Sequence, residues 1–248
     1  MDSKRKHWSL KQPHMKAKIL GSLLMVTGGI LLIQQTALFI KLGFGCMLIG
    51  LFIIVMITER TIPENISNAQ VQGHSNAVRQ LTNQLQLKGN AVFLPQNGIR
   101  SEERLFIPLK NERISLPEID DDVVFATGAD GTSLGLSLPP SGLSLLHEVE
   151  KETPFHQTEM NHLEEKLQSF VGMNILTSIA LKEKQKRWQL ELEKPGYCHL
   201  NPAFCKQYPC PTCSAVLTAI TKATNQKIQI TDAKQVGKKT TFYFTMMR

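Results

Sequence analysis

Forty residues from Ile19 to Thr58 carry a single charge, Lys41, and no other feature constrains the folding of this 248-residue chain as strongly. A bilayer core of ~30 Å needs ~20 helical residues at ~1.5 Å each, so the run is too long for one span and suits two. Its only polar cluster is Gln34-Gln35-Thr36. Backbone groups cannot be left unpaired in lipid. The pattern therefore predicts helices near Ala17–Ile33 and Ala37–Thr58, folded into a transmembrane hairpin over 17–58 behind a basic leader at 1–16.

The formal net charge of +7 is distributed to match. Residues 1–18 hold six basic side chains (Lys4, Arg5, Lys6, Lys11, Lys16, Lys18) and one acid, whereas residues 59–248 hold 21 basic and 20 acidic ones. Positive flanks stay in the cytoplasm, so the leader predicts a two-pass protein of the cell membrane with both termini cytoplasmic and the lipid bilayer as partner. Lys41 would snorkel to the outer face. A nearly neutral remainder gives no electrostatic reason to expect a nucleic-acid partner. Gly21 with Gly28, Ser22 with Gly29, and Gly43 with Gly50 each stand seven apart, where small side chains let helices approach closely. A cleaved signal peptide fits poorly, because its apolar region is typically ~7–15 residues and a small-x-small site should follow. No acidic residue or histidine lies within the run, so it reads as an anchor and not a transport path.

Beyond the anchor the pattern changes. Apolar positions at Val71, Val78, Leu81 and Leu85 predict a juxtamembrane helix near Ser67–Leu87, within residues 59–90, with Ser67 and Gln70 as a capping box and Gly89 as the stop. Strand-like runs follow at Ala91–Leu94, Leu105–Leu109, Val123–Thr127 and Ser133–Leu138, with Asp130-Gly131 as a hairpin turn. Helices are expected from Pro140 to Glu150 and over Thr158–Val171. Hairpins are expected from Asn174–Leu181 with Arg187–Leu192, and from Lys227–Thr231 with Thr240–Thr245 about Gly237. Between the hairpins a helix should run from Pro211 to Thr224. Strands and helices grouped in this way predict an α+β, mostly antiparallel cytoplasmic domain over 91–248, with 91–151 and 158–248 as candidate lobes.

Glu59-Arg-Thr-Ile-Pro, the Gln86–Pro95 segment with Asn90-Ala-Val-Phe-Leu-Pro, and Arg104-Leu-Phe-Ile-Pro fit one pattern with the two N-terminal spans and the closing helix–strand–strand unit. In this the chain resembles a family of uncharacterised archaeal membrane proteins with a domain of unknown function. That resemblance implies membrane placement and no assigned activity. The closing unit, Pro211–Met247, is also similar to small-molecule-binding domains of the vinyl-reductase and haem-NO-binding kind, which implies ligand sensing. Their final strand usually carries a cysteine where this chain has Phe242-Tyr-Phe-Thr-Met.

Four of five cysteines fall within sixteen residues: Cys198, Cys205, Cys210 and Cys213, with His199 beside the first. A tetrahedral Zn²⁺ takes four thiolate or imidazole ligands, and a C-x2-C knuckle such as Cys210–Cys213 supplies two from one turn. Pro202, Pro209 and Pro211 stiffen the loop. The expected metal ligands are Cys198, Cys205, Cys210 and Cys213, with His199 able to replace Cys198 or Cys205. The same thiolates could hold an iron–sulfur cluster instead. Three readings compete: buried thiols that merely pack, disulfides if the topology were inverted, and a thiol oxidoreductase in which Cys210-Pro-Thr-Cys213 opens a helix that lowers a thiol pKa. His162 with Glu165, and Asp120-Asp121-Asp122, are weaker cation candidates that read more simply as solvated surface. No nucleophile elbow or phosphate-binding loop occurs. The leading expectation is a membrane-anchored binding or sensing domain with a structural metal site and an unidentified small-molecule or protein partner. The alternatives are a membrane-bound thiol oxidoreductase and a structural partner in a membrane complex.

Overall fold

The computed structural model describes residues 13–33, 36–57, 64–98, 100–111, 119–127, 134–156, 158, 160–184, 187–193 and 204–247. They fall into two compact units, Met1–Pro63 and Glu64–Arg248.

The first unit is a pair of helices, α1 (Pro13–Ile33) and α2 (Ala37–Ile57). They break where the Gln34-Gln35-Thr36 cluster falls, and the Ile40 N–H closes the first turn of α2 on the Thr36 carbonyl at 3.0 Å. Gly21, Gly28, Gly43 and Gly50 form the antiparallel contact. A Cβ on Gly28 would stand 2.7 Å from the Gly43 carbonyl oxygen, and one on Gly50 would stand 2.7 Å from that of Gly21. Gly29 faces open space and Ser22 is exposed, so two of the three expected pairs make the seam. The opposite faces present Ile19, Leu23, Val26, Ile30, Phe44, Leu48 and Phe52, all more than half exposed. By length and composition α2 is able to cross a membrane over Ala37–Val55; the apolar part of α1, Ile19–Ile33, is shorter, since Lys16 and Lys18 occupy its first turns.

The second unit is α+β. Helix α3 (Glu64–Gln84) starts before Ser67, which therefore lies inside the helix and not at its cap. It also ends before Gly89: the Leu87 N–H donates to Thr82 O at 2.9 Å and that of Gln86 to Asn83 O at 3.1 Å, with Gln86 in the left-handed region at φ 54°. These are the two bonds of a Schellman stop, with glutamine where glycine is usual. The chain continues through β1 (Val92–Leu94), β2 (Arg104–Pro108), β3 (Phe125–Thr127), β4 (Leu134–Leu138), α4 (Leu143–Glu150), α5 (Met160–Leu167), α6 (Ser169–Gly172), β5 (Ser178–Lys184), β6 (Arg187–Glu193), α7 (Pro211–Thr224), β7 (Lys227–Val236) and β8 (Lys239–Met247). The expected 158–171 helix is thus two short helices that break at Gln168. The Asp130-Gly131 turn lies outside the described residues, but β3 and β4 pair antiparallel on either side of it.

All eight strands join one sheet in the order β3-β4-β2-β1-β7-β8-β6-β5, and every neighbouring pair is antiparallel. The β1–β7 pairing, Val92 opposite Gln229 and Phe93 opposite Ile228, draws strands from both sides of the 151–157 segment into that sheet. Alternation along the central strands decides what each face buries. Phe93, Leu105 and Ile107 join the main core with Leu146, Phe155, Phe170 and the apolar residues of α7, while Val92, Leu94 and Phe106 pack with Ile119 and Ala126 in a second cluster. Helix α7 is the axis of the main core, buried from Cys213 to Thr221. Two of its buried hydroxyls are satisfied locally, as Thr218 and Thr221 each donate to the carbonyl four residues back, at 2.7 and 2.9 Å, while the Ser214 hydroxyl makes no hydrogen bond among the described residues.

Candidate functional site

The segment that leads into α7 is fastened at several points. A 3-10 turn at Phe204–Lys206 is held by the Ala91 N–H donating to Lys206 O at 2.8 Å, by Gln207 Nε2 donating to Leu87 O at 2.9 Å, and by the Lys206 ammonium against Asp232 of β7 at 2.5 Å. Cys210 then takes an extended N-cap conformation, and Pro211 supplies the first helical residue, where its missing N–H costs nothing. Gly142, just before α4, packs so closely on Pro211 O and Ala215 N that no side chain could be accommodated there. These restraints give one wall of a cleft; α3 gives the other.

The cleft is about 420 Å³, within the ~300–1,000 Å³ usual for small-molecule sites. Val71, His74, Ser75 and Arg79 of α3 face Ser141, Phe204, Cys205, Tyr208, Cys210 and Pro211. His74 Nε2 and the Tyr208 hydroxyl meet at 2.8 Å, which ties the two walls together. Tyr208 is only 5% exposed. Burial pushes its phenol up to about 12, opposed in part by the nearby Ser141 hydroxyl. Either group is able to donate in this bond, and the His74 tautomer sets the direction. Ser141 itself donates to Pro209 O at 2.8 Å. The arrangement offers an apolar floor of Phe204, Tyr208 and proline rings, an imidazole–phenol pair, a guanidinium at the mouth and two cysteine side chains in the wall.

Of the expected cysteine set, Cys205 and Cys210 line the same cleft and Cys213 is not part of its lining. Cys205 is buried and Cys210 half-buried, both lining the cleft, while Cys213 is fully buried in the first turn of α7. Cys198 and His199 lie outside the described residues. Among the described residues no group of three or more His, Cys, Asp or Glu side chains is placed to hold a metal ion. The weaker candidates have plain structural roles. His162 and Glu165 stand 3.8 Å apart on an exposed helix face. Asp121 accepts from the Ser101 hydroxyl at 2.5 Å and N–H at 2.8 Å, and these bonds hold its carboxyl below the usual range. His74, Arg79 and Tyr208 were not singled out by the sequence. The available signal was a tyrosine set between Cys205 and Cys210.

A profile for a domain of unknown function, DUF7982, matches residues 8–191. The chain belongs to that family. The match takes in α1 to α6 and the strands through most of β6, and it stops short of α7, β7 and β8. The resemblance to an uncharacterised family is thereby shown at the level of the family. No curated protein and no solved structure matches the chain.

Proposed function

We propose that this DUF7982 chain is a membrane-anchored binding or sensing domain that takes a small ligand into the α3 cleft. A Cys-rich zinc site then fixes the wall opposite α3. The observation that supports this most is the position of Cys205 and Cys210 in the cleft wall, on a segment pinned to β1, β7 and α4. Zinc bound by Cys198, Cys205, Cys210 and Cys213, with His199 as substitute, would hold that wall rigid. Its binding energy would add directly to folding. The ligand chemistry the cleft suits is an apolar body with one polar or anionic end, met by Arg79 and His74.

On this reading α1 and α2 form the two-pass anchor, with both termini in the cytoplasm. Each is 21 residues long, about 32 Å at ~1.5 Å per residue, and their outward faces are apolar. In the sequence only six residues separate α2 from α3, so one wall of the cleft follows the anchor closely along the chain. The test is the Cys210→Ser, Cys213→Ser double variant of the full chain. Loss of bound metal together with a lower melting temperature is expected; unchanged metal content and unchanged melting would refute the site.

A second reading rests on a different aspect of the same residues. Cys210 sits half-exposed at the N-cap of α7 while Cys213 is buried one turn on, which is the placement of an attacking and a resolving thiol in an oxidoreductase. Turnover of a disulfide substrate by the metal-free chain would support it, and resistance of the pair to alkylation would exclude it.

A further inference from the structure

The opposite end of α7, about 21 Å from Pro211 for 14 residues, borders a second recess of about 240 Å³. Pro95, Asn97, Glu103, His156, Lys222 and Asn225 line it. Its charges do not balance. The Lys222 ammonium donates to Glu150 Oε2 at 2.8 Å and stands 3.8 Å from Glu103 Oε1, too far for a hydrogen bond. The three side chains are 11%, 14% and 3% exposed, in the order Lys222, Glu150, Glu103. Glu103 Oε1 and Glu150 Oε1 are both closed to solvent and accept no hydrogen bond among the described residues. Among the described residues, two carboxylates thus face one ammonium and the cluster carries an excess negative charge; the other basic side chain in the lining is His156, which is exposed. Such a charge is costly in a low-dielectric site unless it is paired. Two buried arginines lie near in the chain: Arg100 is engaged, its Nε and Nη2 donating to the Pro95 carbonyl at 3.3 and 3.0 Å with Asp121 as its charge partner, and Arg104, opposite Leu94 in the register, falls on the other face of the sheet from Glu103 by strand alternation. The C-terminal end of α7 adds the negative pole of its dipole on the same side.

We propose that this recess binds the primary ammonium group of a small organic cation, with the Glu103 carboxylate as its main acceptor. A single positive charge restores neutrality. A divalent metal ion would overcompensate and would be repelled by the Lys222 ammonium at the same carboxylates. The amide side chains of Asn97 and Asn225 in the lining suit the polar edge of such a ligand. The site is independent of the α3 cleft and of the cysteines.

The test is saturation-transfer NMR on the full chain in detergent micelles, with methylammonium chloride as probe in an excess of sodium chloride. The wild-type chain gives a saturable signal, and Glu103→Gln weakens it at least tenfold. Glu191→Gln, at a surface carboxylate paired with Lys239, leaves it unchanged. Should Glu103→Gln fail to fold, Glu150→Gln removes the same charge and is expected to weaken binding as much. No saturable signal from the folded wild type would overturn the proposal, as would equal binding by the folded Glu variants. Displacement by magnesium at lower concentration than methylammonium would also overturn it, by marking an inorganic cation site.

Discussion

Replacing Gly28 and Gly29 one at a time by alanine tests the packing of α1 on α2 through the sign of the effect. A Cβ at position 28 would lie 2.7 Å from Gly43 O and 2.8 Å from Met47 Cγ. Carbon–oxygen contacts between helices normally fall at ~3.3–3.6 Å, so the helices must separate locally by about 0.6 Å or more. Overpacking of that kind costs ~1–3 kcal/mol. Against this stands the better helix propensity of alanine, ~1 kcal/mol. At Gly29 nothing lies within 4 Å of the added carbon, so only the favourable contribution remains. Gly29→Ala should therefore stabilise the hairpin by up to about 1 kcal/mol, and Gly28→Ala should destabilise it by up to about 2 kcal/mol. Reversible unfolding in mixed micelles, followed by fluorescence transfer between labels on the two helices, reads the difference directly. Gly43→Ala and Gly45→Ala form the matching pair on α2, since Gly43 contacts Gly28 and Gly45 faces open space. If Gly28→Ala stabilised the hairpin as much as Gly29→Ala, the glycine seam would be refuted.

Three further outcomes follow from the second unit. Gln86→Gly should raise its stability by about 0.5–1 kcal/mol in a chemical denaturation series, because glycine takes the left-handed stop of α3 at less cost. Tyr208 should ionise near 12 in a tyrosinate absorbance titration, after an exposed tyrosine. Its folded pKa is raised, so its contribution is complete below the unfolded value near ~10 and is lost as pH climbs toward the folded one; Tyr208→Phe should flatten that alkaline loss. Asp232 behaves in the opposite sense. The Lys206 ammonium holds its carboxyl below the usual range, so its contribution is present above the unfolded pKa and disappears as pH falls through the folded one. Asp232→Asn should lower neutral-pH melting by an amount worth less than ~1 kcal/mol, since both partners are partly exposed, and should have no effect in strong acid.

Much of this architecture was legible because its signals are local. The Gln34-Gln35-Thr36 cluster separates the stretches that form α1 and α2, Pro211 marks the first residue of α7, and Gly237 lies between β7 and β8. The failures were local rules overruled by distant contacts. Gly89 looked like the stop of α3, but Leu87 packs in the core and places the left-handed residue at Gln86. Strands β7 and β8 run longer than their apolar alternation indicates, because a bulge between Ile230 and Asp232 shifts the register and cross-strand pairing carries polar residues to Val236. The cleft was legible only through its cysteines. His74 and Tyr208 are 134 residues apart, on segments joined by the non-local β1–β7 pairing, and periodicity carries no information about such a meeting. The Glu103–Lys222–Glu150 cluster was hidden for the same reason, with one charge each from a strand edge and two helices.

The cysteine-built wall of the cleft is the centre of the account, and metal content tests it most directly. Full-length chain, purified in detergent without chelator, is expected to carry one zinc ion per chain and no visible absorption band. A chain that binds no metal and melts at the same temperature before and after chelation would contradict the account. An iron–sulfur chromophore would contradict the assignment of zinc while leaving the same four cysteines as ligands.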